Sequence, residues 1–363
     1  MSVIRRLQNR FWQFGGVNLV REYIRLGVFG EFVKQGLSVL LRRKSINEAY
    51  SCIQQKVVPQ IRKKYAPLLQ QLLLDYSGKE LTHQHSHIVW VCWFQGMEHA
   101  PEIVRICHTS LRRYITDREI IVLTDDNISQ YVTFPEHIRM KYQKGLIPMA
   151  HYSDLLRLEV LTRYGGTWID STVLCTGCNL NVDVNLDVDL DDNLDDNLND
   201  NLNVDVNLDD NLNHNLNDNL DDNVDYLDAD LFLFQSFREG DAGIRGISNW
   251  FITASSNQKI LLILKEMLYQ YHKDYHCTVA YFFFHIFFMM IAKELPEEVR
   301  KMPRVSNQYC FQLEHHLGDR YDEMWMKNLT DRCCFHKLNG RLWKEAEGKR
   351  DTYLCRIKEM FRV

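Results

Sequence analysis

Two carboxylates and a guanidinium stand close together in SDLLRLEVLTRYGGTWIDST, residues 153–172. Asp154 and Arg157 are three residues apart, so they share a face if the stretch is helical. Asp170 follows a Gly165–Gly166 pair. On a helical wheel at about 100° per residue, Glu159, Thr162 and Arg163 form one sector, predicted to be the wet face. Leu158, Val160, Leu161 and Tyr164 occupy the opposite arc, and Asp154 and Arg157 fall inside it. Charges on a core-facing stripe are costly unless they pair or meet a polar ligand. A structural Asp–Arg pair and a ligand site both answer that demand, and the helix alone leaves both open.

The residues that follow favour a site. The two glycines end the helix and permit a close turn. With one strand read over 167–174, the two-residue alternation puts Trp168, Asp170 and Thr172 on one face. Carboxylate oxygens bind hard cations such as Mg²⁺ and Mn²⁺, with phosphates completing the shell. The Trp offers a flat face for a ring. This chemistry suits a sugar nucleotide bridged by a divalent cation at the edge of a parallel sheet.

The elements needed to position these groups are legible as an α/β pattern. HIVWVCWF (87–94) reads as a buried strand, 100–114 as a helix, 118–127 as a strand ending in polar residues, and 150–164 as a helix. DLFLFQSF (230–237) reads as a strand, followed by helices around 257–272 and 279–293. Strands alternating with helices predict a mostly parallel sheet flanked by helices, with ligand at the strands' C-terminal ends. No GxGxxG follows the first strand and no GxxxxGK[ST] occurs, so dinucleotide and P-loop readings lose their main support.

Four regions are expected: a basic helical arm (1–80), a nucleotide-sugar-binding half (81–178), a low-complexity repeat (179–225), and the remainder with the acceptor side (226–363). The formal charge of −5 hides an asymmetry, because 179–225 carries fifteen Asp and no Lys or Arg. Residues 1–64 carry thirteen Lys or Arg against Glu22, Glu31 and Glu48, interleaved with Phe11, Trp12, Phe14, Phe29 and Phe32. Such an arm can lie on an anionic membrane surface or serve as a helical cap with a solvated basic face. In 179–224 every odd position is Asn or Asp and every even one Leu, Val, Asp or His, the pattern of an expanded dipeptide repeat in a loop. Calcium binding there lacks the glycines of known calcium loops.

The ten cysteines are scattered, several within apolar runs, and the N-terminus carries no sustained apolar core, which together imply a reducing, cytoplasmic setting. The CxxC at Cys175–Cys178 has no second pair at zinc spacing. The longest apolar run, AYFFFHIFFMMIA (280–292), is too short to span a bilayer and reads as a buried helix.

The central block resembles the SDxxR…GGxYxDxD block of GT-A glycosyltransferases, which include polysaccharide mannosyltransferases and the large clostridial glucosylating toxins. It is most similar to the bacterial capsular polysaccharide synthesis protein family, with further likeness at HIVWVCWFQG, LTDDN, SNWFITA (248–254) and FHKL (335–338). The resemblance implies a GT-A-like fold and sugar transfer from a nucleoside diphosphate sugar to a growing capsular or surface glycan, which is free or lipid-linked, with retention of configuration. It places Trp93 on the nucleotide base, Asn127 near base and ribose, and Asp154 and Arg157 on the donor sugar and diphosphate. Trp168 lines the donor pocket, Asp170 binds ribose and metal, and Asn249 and Trp250 border the acceptor. Thr172 stands where DxD has its second Asp, which weakens the set for Mn²⁺ or Mg²⁺. His336 and Lys337 are either diphosphate contacts or a surface pair. Asp187–Asp189 and Asp228–Asp230 mimic DxD but lie in or beside the repeat. Peripheral attachment to the inner face of the plasma membrane is expected, and no nucleic-acid partner. A donor-binding protein with weak catalysis and a calcium-responsive interaction protein are the competing classes.

Overall fold

A computed structural model describes residues 15–177, 226–236 and 246–362. Residues 1–14 of the basic arm, Cys178, the repeat with its Asp187–Asp189 pair, and Phe237 lie outside the described residues. The N-terminal region is helical, with α1 (Val17–Arg25), α2 (Phe29–Leu40) and α3 (Ile46–Asp75). Ser45 starts α3 with a capping box: its hydroxyl accepts from the Glu48 N–H at 3.2 Å while the Glu48 carboxylate takes the Ser45 N–H at 2.6 Å. Val57, Val58, Ile61, Tyr65 and Leu69 recur at helical spacing and are buried.

The remaining elements that position the site are β1 (Ile88–Cys92), α4 (Glu102–Tyr114), β2 (Glu119–Leu123), α5 (Met149–Tyr164), β3 (Gly166–Ile169) and β4 (Val173–Cys175). They are followed by β5 (Leu231–Ser236), β6 (Gly246–Ala254), α6 (Lys259–Asp274), α7 (Phe283–Glu294) and β7 (Phe335–Lys337). Five strands form one sheet in the order β2-β1-β3-β6-β5. β1 pairs parallel with both β2 and β3, while β6 runs antiparallel to β3 and β5, so four of the five strands point the same way.

Alternation along the strands feeds two cores. Trp90, Trp168, Leu231, Leu233 and Ile252 face the layer built with α3, α5, α6 and α7. Val89, Val91, Ile169, Phe232, Phe234 and Phe251 face the other side with Phe335. The apolar run 280–292 becomes α7, buried through Phe283, Phe284, Phe287, Phe288 and Ile291. Among the described cysteines eight are free thiols, whereas Cys334 is disulfide-bonded, so the fully reduced set expected from the sequence does not extend to it.

Two expectations need correction. The strand read over 167–174 is two strands in two sheets: β3 ends at Ile169, residues 170–172 turn, and β4 pairs antiparallel with β7. The predicted wet face of α5 is largely covered, because α6 packs on it. Thr162 is buried and accepts from Lys265 Nζ at 3.0 Å, and Glu159 accepts from Tyr269 Oη and pairs with Lys265 at 3.5 Å. Only Arg163 of that sector is exposed.

Candidate functional site

A cleft of about 540 Å³ opens at the C-terminal ends of β1 and β3, where a parallel sheet offers ligand space. Residues 92–95 leaving β1, Asp170 and Ser171 leaving β3, the α5 residues Ser153, Asp154 and Arg157, and Asn249 of β6 line it, with Tyr281, Phe282 and His285 opposite. The Gly165–Gly166 turn makes this convergence possible. Both residues have positive φ, 71° and 95°, and a Cβ on Gly166 would stand 2.3 Å from the Ile88 carbonyl oxygen. Any other residue would therefore push β3 away from β1.

Arg157 is the hub. Its Nη1 donates to the Asn249 carbonyl and lies 3.4 Å from Asp154 Oδ1, while its Nη2 donates to Ser153 Oγ at 3.2 Å and Asp170 Oδ1 at 3.4 Å. The guanidinium also stands 5.1 Å from the centre of the Trp168 ring, a cation–π contact. Asp154 accepts from Asn249 Nδ2 at 2.9 Å. Asp170 accepts from Trp168 Nε1 at 2.9 Å and faces Lys337 Nζ at 3.3 Å.

The two carboxyls are driven apart. Burial pushes Asp154 up to about 6, the Asp170 charge adds to that, and Arg157 and Asn249 only partly oppose it. Burial also raises Asp170, but Lys337, Arg157 and the Trp168 N–H together hold it below the usual carboxylate range. Titratable groups pushed in opposite directions inside a cleft make it a candidate functional site, although structural ion-pair networks shift such groups too.

The structure brings Asp154, Arg157, Trp168, Asp170 and Asn249 to this cleft, together with half-buried Trp93. It does not bring Asn127 or Trp250. The Asn127 amide closes the turn after β2, accepting from Thr124 N–H and donating to the Val122 carbonyl, both at 2.8 Å. Trp250 stacks on Phe234 at 5.1 Å in the opposite core. His336 and Lys337 alternate along β7 and part company. His336 is fully buried with its Nε2 3.1 Å from Thr176 Oγ1, and burial lowers it to about 4. Lys337 meets Asp170 and donates to Thr172 Oγ1 at 2.7 Å.

His151, His285 and Tyr281 line the cleft without having been singled out. Burial lowers both imidazoles to about 4, with Arg157 adding to the effect at His285, so both are neutral near pH 7. His151 Nε2, His285 Nδ1 and Trp93 Nε1 are buried without a hydrogen-bond partner among the described residues. The available signal was a lone histidine inside the apolar run 280–292.

Asp170 and Thr172 do not fit a divalent cation. Both oxygens of the single carboxylate are engaged, the Thr172 hydroxyl accepts from Lys337, and no group of three His, Cys, Asp or Glu gathers for a metal among the described residues. In comparisons with known proteins, a family model described as capsular polysaccharide synthesis protein matches residues 38–190 and 215–357. The search of curated proteins finds no match to the chain.

Proposed function

We propose that this chain, which belongs to the capsular polysaccharide synthesis protein family, transfers a sugar from a nucleoside diphosphate sugar to a growing capsular or surface glycan. The observation that supports this reading is the meeting of Asp154, Arg157 and Asp170 in a cleft at the ends of two parallel strands. In the reaction, the bond from the anomeric carbon to the diphosphate oxygen breaks with its electron pair on the diphosphate. The acceptor hydroxyl oxygen bonds to the anomeric carbon, and its proton passes to the departing diphosphate, with retention. Arg157 meets the charge that develops on the diphosphate, and a fixed cation in a partly closed cleft stabilises it more than water does. Asp154 and Asn249 hold the guanidinium in place, and Trp93 and Trp168 supply flat faces for base and sugar.

A thermal-shift screen of nucleoside diphosphate sugars, followed by assay of diphosphate release with glycan and lipid-linked acceptors, tests the reading. One donor is expected to raise the melting temperature and to turn over. Binding without turnover supports the weak-catalysis alternative, and no binding by any donor refutes the sugar-nucleotide reading.

The acceptor side is served by attachment to an anionic membrane surface. Val33, Leu37 and Leu40 of α2 and the adjacent Leu41 are exposed, beside exposed Arg42 and Arg43. Among the described residues no helix is long and apolar enough to cross a membrane, so this face would lie on the surface. Leu37→Asp with Leu41→Asp is expected to release the protein from phosphatidylglycerol vesicles in co-sedimentation. Unchanged binding would remove α2 from that role.

A further inference from the structure

We infer that Lys337 takes the place of the divalent cation, as a built-in counter-charge to Asp170 beside the donor diphosphate; the diphosphate part rests on the sugar-nucleotide reading. β7 pairs antiparallel with β4 so that Val173 stands opposite Lys337, which delivers the lysine to the turn at 170–172. Its ammonium lies 3.3 Å from Asp170 Oδ2 and 2.7 Å from Thr172 Oγ1, between the two positions where a DxD sequence would present carboxylates. The threonine is the matching half of the arrangement. A second carboxylate would leave a net negative pair that calls for a dication, whereas Asp170 with Lys337 is already neutral and Thr172 adds no charge. An ammonium has three N–H donors, and Asp170 and Thr172 use two. Lys337 and Thr172 stand behind the cleft lining, to which Asp170 belongs, and the third N–H, on a side chain still 22% exposed, is the one that would reach a phosphate oxygen beside Asp170. Mg²⁺ and Mn²⁺ ordinarily neutralise a diphosphate from one or two carboxylates, and here a fixed side chain supplies that charge.

Two measurements on the full-length chain decide this. Free Mn²⁺ is first titrated by electron paramagnetic resonance without nucleotide. Asp170→Asn is expected to leave bound Mn²⁺ unchanged, whereas Lys337→Met with Thr172→Asp is expected to gain a bound ion. Loss of an ion on Asp170→Asn would overturn the inference. Nucleoside diphosphate binding is then followed by thermal shift in EDTA and in Mn²⁺. The unmodified protein is expected to bind equally in both, Lys337→Met about tenfold or more weakly in both, and Lys337→Met with Thr172→Asp well only in Mn²⁺. Lys337→Arg keeps the charge and is expected to retain binding in EDTA. Binding by the unmodified protein that requires Mn²⁺ would overturn the inference. If no nucleoside diphosphate binds under either condition, the sugar-nucleotide reading fails, and the Mn²⁺ titration alone still decides whether Asp170 holds a metal.

Discussion

Two helices carry the same spacing, an acid followed three residues later by arginine, and use it in opposite ways. In α1, Glu22 is fully buried and closed. Its Oε2 takes Arg25 Nη1 at 2.7 Å, and its Oε1 takes the His276 backbone N–H at 3.0 Å and faces the ring Nδ1 at 3.1 Å. In α5, Arg157 is spread over Asp154 and Asp170 at 3.4 Å each and forms part of a cleft wall. The first arrangement satisfies every oxygen with short protein contacts and locks α1 against the loop after α6. The second has long ion pairs, because one guanidinium is shared by two competing carboxyls, each also held at 2.9 Å by Asn249 or Trp168, and it stands open to a cleft. Spacing is common to both, so closure is what separates a lock from a site.

The largest expected effect breaks the comparison at Arg157. Arg157→Ala should lower transfer by about 10²–10³-fold, measured as diphosphate release from the donor that passes the binding screen. Arg25→Ala should leave transfer per folded molecule unchanged. Equal losses from the two would make both pairs structural. Next comes Glu22→Gln, which replaces a fully buried carboxylate with a neutral amide while its partners Arg25 and His276 stay about half exposed. Urea unfolding should show a loss of roughly 1.5–3 kcal/mol, the range for hydrogen bonds to a charged group, with transfer by the folded protein intact.

Asp154 gives a smaller effect with a defined sign. Its folded pKa of about 6 lies above the ordinary aspartate value of 3.8, so the stability it contributes is present below about pH 4 and lost as pH rises through about 6. Asp154→Asn has no such proton to lose. Between pH 4 and pH 7 the stability difference should therefore move about 2 kcal/mol in favour of the variant. A constant difference across that range would mean that Asp154 is not perturbed. The smallest effect is at Asn127, whose amide is closed locally as Glu22 is. Asn127→Ala should cost about 1 kcal/mol or slightly more in stability, with donor affinity unchanged in the thermal-shift titration.

Much of the site was legible because its core lies within one helix–turn–strand block. The three-residue spacing put Asp154 and Arg157 together, and the glycine pair announced the turn that lets β3 pass beside β1. The break at Asp170 was not legible, since alternation describes a strand without saying which partner it pairs with. β7 is far away in sequence, and it draws the chain out of the main sheet. The covered face of α5 was missed for a similar reason, because Glu159 and Thr162 look wet until α6 arrives with Lys265 and Tyr269. His151 and His285 stood alone in apolar surroundings, where a single imidazole carries no spacing to read. Asn127 and Trp250 came from resemblance, and their side chains serve a turn and a core.

The β4–β7 pairing also sets the order in which the charges come together as the chain is made. Asp170 and Thr172 leave the ribosome first, and the lysine that joins them lies 165 residues beyond Thr172. At about 5–20 residues per second, roughly ten to thirty seconds separate the two. During that interval Asp170 has Arg157 of its own block but not Lys337, and any chain cut short before β7 keeps the block without completing it. Assembly of the site is thus tied to synthesis of β7, so a fragment that bears the block without β7 cannot compete as an equal with a chain that has both.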